Sequence, residues 1–129
     1  MQISTNAVPA DDCAVRAVDP ERVAATRERL IDFDEAEVLA DGFKLLGEPN
    51  RVRILFALLE AGELCVCDLA ATVDAAESTV SQALRLLRAA GIVRNRRDGR
   101  MIYYRLDDAH VRMLLDLSRE HLAHSDGGR

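Results

Sequence analysis

The chain has few aromatic side chains and no long apolar run. Phe33, Phe43, Phe56, Tyr103 and Tyr104 are its only aromatics in 129 residues, so stacking of unpaired bases on aromatic platforms is not a promising mode of action. No stretch approaches the ~20 apolar residues that span a bilayer, and no membrane attachment is expected. Met1 to Ala10 has neither a basic start nor an apolar centre. It does not read as a secretory signal, and a cytoplasmic location is expected. Three cysteines, an odd number, do not make a disulfide framework. In a reducing compartment they stay thiols or bind metal. No nucleophile–base pair and no phosphate loop is present, so an enzyme is not expected.

What is there belongs to a globular protein, with 30% charged and 49% hydrophobic residues. The length fits one domain with a modest core, or a dimer sharing one. The formal net charge of −5 argues against a nucleic-acid partner only until its distribution is read. Residues 1–40 carry nine acids and four bases, whereas residues 78–105 carry seven arginines and Asp98 as the only acid. Local basic density, not total charge, governs attraction to phosphates.

Three regions are expected: a mobile tail over 1–18 carrying Cys13, a folded body over 19–124, and a short disordered tail over 125–129. Pro20-Glu21 predicts a first helix capped by Asp19, with Val23 and Leu30 on one face. Asp34 is predicted to cap a second helix with Val38, Leu39, Phe43, Leu45 and Leu46 apolar, punctuated by Gly47 and Pro49. Asn50 to Glu60 reads as a buried helix ending at Ala61-Gly62. Leu64 to Val73 reads as a short helix, Asp74-Ala75 as a turn, and Ala76 to Ala90 as a second helix stopped by Gly91. In that second helix Val80, Leu84 and Leu87 point inward, and Ser78, Gln82 and Arg85 outward. Two short helices joined by a tight turn, the second polar and basic outside, form the helix-turn-helix pattern. Ile92-Val93-Arg94 and Met101 to Leu106 then read as strands around an Arg96-Arg97-Asp98-Gly99-Arg100 hairpin. A basic hairpin after a helix-turn-helix makes a winged helix, a mainly α fold with a small β wing.

All three histidines fall within Asp108-x-His110 and His121-x-x-His124. Three imidazoles and a carboxylate suit a tetrahedral divalent ion such as Zn²⁺. On one helix, His110 and His121 face the same way but lie roughly 16 Å apart along the axis at ~1.5 Å per residue, while Zn–N bonds are ~2 Å. One ion cannot take both from one chain. An antiparallel second copy would bring its His121 and His124 beside the first copy's Asp108 and His110, so the site is expected in a homodimer. His110, Leu114, Leu117, His121 and His124 step by 4, 3, 4 and 3, the narrow stripe of a helix–helix seam.

With these residues in view, the chain resembles the ArsR/SmtB family of metal-responsive winged-helix repressors. The resemblance covers roughly Glu35 to His124. It is carried by Leu46-Gly47-Glu48-Pro49-Asn50-Arg51-Val52-Arg53-Ile54-Leu55, Glu63-Leu64-Cys65-Val66-Cys67-Asp68-Leu69, Ser78-Thr79-Val80-Ser81-Gln82-Ala83-Leu84, and Gly99-Arg100-Met101-Ile102-Tyr103-Tyr104-Arg105-Leu106. The resemblance implies two alternative metal sites. The first-ranked is inter-subunit: Asp108 and His110 of one chain with His121 and His124 of the other, binding Zn²⁺ or Co²⁺. The second uses Cys65 and Cys67, with Cys13 as the only N-terminal thiol able to join them. Three thiolates suit Cd²⁺ or Pb²⁺, and Asp68 or a nearby acid would serve as a fourth ligand. The family's second N-terminal cysteine is missing here. Residues i and i+2 on a regular helix point about 200° apart, so Cys65 and Cys67 can share an ion only where the helix start is unwound. The resemblance also implies a hydrogen bond from His121 to the carbonyl of Gly91 that couples metal to DNA.

The expected function is a homodimeric repressor on double-stranded, palindromic operator DNA. Ser78, Ser81 and Gln82 would read bases, while Arg85, Arg96, Arg97 and Arg100 would meet phosphates or the minor groove. Metal binding would release the operator and derepress metal efflux or sequestration. Two alternatives stay open: an arsenite or antimonite sensor through Cys13, Cys65 and Cys67, and a thiol redox switch.

Overall fold

The computed structural model describes residues 17–127. Cys13, with the rest of 1–16, lies outside the described residues, as do 128–129. The described elements run α1 (Pro20–Arg29), α2 (Phe33–Leu46), α3 (Pro49–Ala61), β1 (Leu64–Cys65), α4 (Val66–Val73), α5 (Glu77–Ala89), β2 (Val93–Asp98), β3 (Met101–Leu106) and α6 (Ala109–Gly127). They fall into two compact units that divide within α2, between Glu37 and Val38. The last helix runs to Gly127, past the boundary expected at 124.

In the first unit, Asp19 caps α1 as expected, its Oδ1 accepting from the Arg22 amide at 3.0 Å, with Pro20 at the first turn. Val23 and Leu30 are both exposed. The cap of α2 is Asp32, not Asp34. Its Oδ1 accepts from the Glu35 amide at 2.8 Å, and Asp34 sits in the first turn instead. A helix start offered several acids takes the one whose oxygen reaches an orphan amide three residues on.

The core of the second unit is built by α3, α4, α5, the wing and α6. Ile54, Leu55 and Leu58 of α3 meet Leu69, Ala70 and Val73 of α4 and Val80, Ala83, Leu84 and Leu87 of α5. Val93, Leu106 and Leu115 close the cluster. Val80, Leu84 and Leu87 are buried as their helical spacing predicts. Glu48 caps α3 through the Arg51 amide, and Gly62 ends it with a positive φ. Arg53 Nη1 donates to the Val73 carbonyl at 3.0 Å, satisfying an otherwise orphaned oxygen at the end of α4. The turn between α4 and α5 is made by Asp74 in the left-handed conformation, φ 56° and ψ 53°. An acidic short side chain tolerates that region better than most.

Two expectations change in the sheet. The stretch from Leu64 to Val73 is not one helix. Leu64 and Cys65 form a strand paired antiparallel with β3, Leu64 against Tyr104 and Cys65 against Tyr103, and the helix starts only at Val66. The hairpin is also tighter than expected. β2 continues through Asn95, Arg96 and Arg97 to Asp98, opposite Met101, leaving Gly99 and Arg100 as a two-residue turn. Gly99 has φ +64°, and a glycine at the first turn position is what a type II′ hairpin needs. The arginine run has no apolar alternation to mark it as a strand. Its ladder to β3 supplies the order instead.

Candidate metal centres and nucleic-acid interface

The unwound start of α4 settles the geometry of the cysteine pair. Cys65 is the last residue of β1 and occupies the cap position of α4 with extended backbone, φ −77° and ψ 168°. Cys67 is the second helical residue. The two sulfurs lie 3.6 Å apart, and Cys67 Sγ is 4.0 Å from Asp68 Oδ1. Two thiolates on one tetrahedral ion with ~2.3 Å bonds are separated by about 3.8 Å, so the pair fits a single ion with little movement. Ligand atoms of Cys65, Cys67 and Asp68 all lie within 4.8 Å of one another. Cys65 is buried and Cys67 exposed, which leaves one face of the pair open to further donors. The Cys65 sulfur pushes the Cys67 thiol up, and the charges of Asp68 and Glu77 add to the effect. A bound divalent cation reverses this by favouring both thiolates.

The other set stands on α6. Asp108 precedes the helix, and its Oδ1 accepts from the amides of His110 at 2.9 Å and Val111 at 3.2 Å. The Val111 amide first, then the side chain and amide of His110, hold the Asp108 carboxyl below its ordinary value. Its Oδ2 lies 3.5 Å from His110 Nδ1. Nitrogen and oxygen donors on one tetrahedral ion with ~2 Å bonds are about 3.3 Å apart, so Asp108 and His110 fit two corners of a zinc site. His121 and His124 lie one turn apart near the far end of the same helix, both exposed. One chain therefore brings Asp108 to His110 and keeps His121 and His124 away from them. The face between is apolar and open: Leu114 is 40% and Leu117 61% exposed. Among the described residues no hydrogen bond joins His121 to the carbonyl of Gly91, which follows the end of α5 with φ +75°.

On the helix-turn-helix, Ser78, Gln82 and Arg85 of α5 are exposed and Ser81 is half-buried. Arg97 and Arg100 stand out from the wing. Arg96 does not stand free. It donates to both carboxylate oxygens of Glu63, 2.8 Å from Nε and 2.7 Å from Nη2, and lies 4.8 Å from the Tyr103 ring centre. The sequence offered no sign of Glu63 or Tyr103 as its partners, because register brings them together from 33 and seven residues away. Glu77 was likewise missed, since only the fold sets it beside the cysteine pair. No helix among the described residues is long and apolar enough to cross a membrane.

The family profile described as "Bacterial regulatory protein, arsR family" matches residues 48–95, which span α3 to the start of the wing. The chain is 41% identical to a transcriptional repressor SmtB homolog of Synechocystis sp. over 88% of its length and 86% of that protein. It is 38% identical to a cadmium resistance transcriptional regulatory protein CadC homolog of Staphylococcus aureus, over 82% of this chain and 87% of that one. Its fold is similar to the crystal structure of the AntR antimony-specific transcriptional repressor, with a TM-score of 0.70 and 33% identity, covering 88% of this chain and 99% of the other. A winged helix-turn-helix with these relatives is a transcriptional regulator, and the chain belongs to the ArsR/SmtB family of metal-responsive winged-helix transcriptional repressors.

Proposed function

We propose that the chain works in the cytoplasm as a homodimer that holds a palindromic operator in its metal-free form and releases it on binding Zn²⁺. Asp108 and His110 of one protomer and His121 and His124 of the other would hold the ion, each dimer having two such sites. The observation that carries this reading is the Asp108–His110 pair, set 3.5 Å apart at one end of an exposed apolar helix face. A single chain supplies half a tetrahedral site, and a seam between antiparallel helices supplies the rest. Exposed Val38, Leu39 and Phe43 on the second half of α2 support a partnered state, since an isolated soluble chain seldom leaves so much apolar surface open.

Ser78, Ser81 and Gln82 would meet base edges in the major groove, and Arg85, Arg97 and Arg100 would meet phosphates or the minor groove. Arg96 would join them only by exchanging Glu63 for phosphate. Zinc can release DNA only by favouring one of two dimer states. A hydrogen bond from the non-ligating nitrogen of His121 to the Gly91 carbonyl would supply that preference.

The cysteine pair supports a second metal site for Cd²⁺ or Pb²⁺, in keeping with relatives named for cadmium resistance. The likeness to an antimony-specific repressor favours, as a second reading, arsenite or antimonite binding by Cys13, Cys65 and Cys67. The deciding experiment titrates metal-free protein on its operator with Zn²⁺, Cd²⁺ and antimonite, in wild type and in His121→Ala and Cys65→Ser variants. Zinc should release wild type and Cys65→Ser but not His121→Ala, which should still bind DNA. Full zinc response in His121→Ala would remove the histidine site from the account.

A further inference from the structure

We propose that Glu77, the first residue of α5, is a ligand of the cysteine site, so that one chain holds a soft divalent ion between the two helices of its helix-turn-helix. The proposal rests on the metal reading of Cys65 and Cys67.

Cys65, Cys67 and Glu77 line one cleft of about 300 Å³, together with Arg100 and Met101 of the wing. Two thiolates satisfy only half of a four-coordinate ion. Asp68 stands beside Cys67 on α4 and offers one oxygen. Glu77 lines the same cleft from across the turn, at the first position of α5. Ala76, at the cap position of α5, has no side-chain bond to the first turn. Glu77 is exposed, so its carboxylate can swing into the cleft. Carboxylate oxygens are acceptable partners for thiolates around Zn²⁺, at ~2.0–2.2 Å. Cys65, Cys67, Asp68 and Glu77 then complete four donors without the tail that carries Cys13.

The placement has a consequence for DNA. Cys65 and Cys67 belong to the β1–α4 junction, and Glu77 belongs to the helix that carries Ser78, Ser81 and Gln82. An ion bound by all three pins the first turn of α5 to α4 and can favour a dimer state with lower operator affinity.

The test uses the full chain and Cd²⁺, with a competing chelator, in wild type, Glu77→Gln, Glu77→Asp and Cys13→Ser. Wild type should show thiolate-to-cadmium absorption. Glu77→Gln should keep that absorption, since both sulfurs remain, but bind on the order of tenfold or more weakly, the scale of loss seen when a metal's supporting groups are removed. X-ray absorption should count one oxygen fewer around cadmium. Glu77→Asp should recover part of the affinity, and Cys13→Ser should keep most of it. Zinc binding at the histidine set and the melting temperature serve as controls that a merely structural change would move. Equal cadmium affinity and equal oxygen count in wild type and Glu77→Gln overturn the role of Glu77 alone. Absence of thiolate absorption in wild type overturns the cysteine site with it.

Discussion

Arg96 on β2 grips Glu63, just ahead of β1, through two short hydrogen bonds of 2.8 and 2.7 Å. The pair fastens the wing to the strand that carries Cys65. It also takes one arginine of the basic run out of free solution, so the run is less uniform than its sequence suggests.

That pair gives a pH signature. Arg96 holds the Glu63 carboxyl below its ordinary value of 4.5, chiefly by hydrogen bonding. The folded-state value is thus the lower one. The stability it contributes is fully present above the unfolded value and is lost as pH falls through the folded value. Melting temperatures of wild type and Glu63→Gln should differ at pH 7 and converge toward pH 3. A gap that stays constant over that range would mean the pair does not stabilise the fold.

The wing arginines should separate by partner. Arg97→Ala or Arg100→Ala should weaken binding to every duplex alike and lower the salt slope by about one for each phosphate no longer neutralised. Arg96→Ala should do less, because its guanidinium is already paired with Glu63. Gln82→Ala should change base preference instead, by about 1–3 kcal/mol at one position. Fluorescence anisotropy on matched and altered operators at several salt concentrations checks all four. A wing variant that alters preference while sparing affinity would contradict this division of roles.

Cadmium should report on the thiols. Charge-transfer absorption should fall in both Cys65→Ser and Cys67→Ser. Cys67 binds its proton more tightly than an ordinary thiol, and an ion must displace that proton, so cadmium affinity should drop as pH is lowered from 8 to 6. An unchanged spectrum in Cys65→Ser would remove this site.

Two leucines should behave oppositely. Leu84 is fully buried in the core, whereas Leu117 is 61% exposed on α6. Leu84→Ala should cost about 2–5 kcal/mol in denaturant unfolding, a large part of the ~5–15 kcal/mol a domain commands. Leu117→Ala should leave the core intact and raise the concentration at which dimers dissociate, seen by sedimentation. Equal effects of the two on dimer dissociation would mean that α6 is not the seam.

The sequence by itself determined the elements whose signals are local. The spacing of Val80, Leu84 and Leu87 marked the inner face of α5, Asp19-Pro20 marked a helix start, and the spacing of Asp108, His110, His121 and His124 placed the two pairs too far apart on one helix to share an ion within one chain. Each of these is read within a few turns of one helix. Tertiary structure decided what depends on neighbours distant in the chain. Pairing of Leu64 and Cys65 with β3 unwinds what reads as a helix start, and that unwinding turns the two sulfurs toward each other. Pairing with β3 likewise extends β2 through an arginine run that carries no strand pattern, and delivers Arg96 to Glu63. Backbone ladders leave no trace in the composition of the strand they order, so the strand pairing that aligns the cysteines could be read only from the fold.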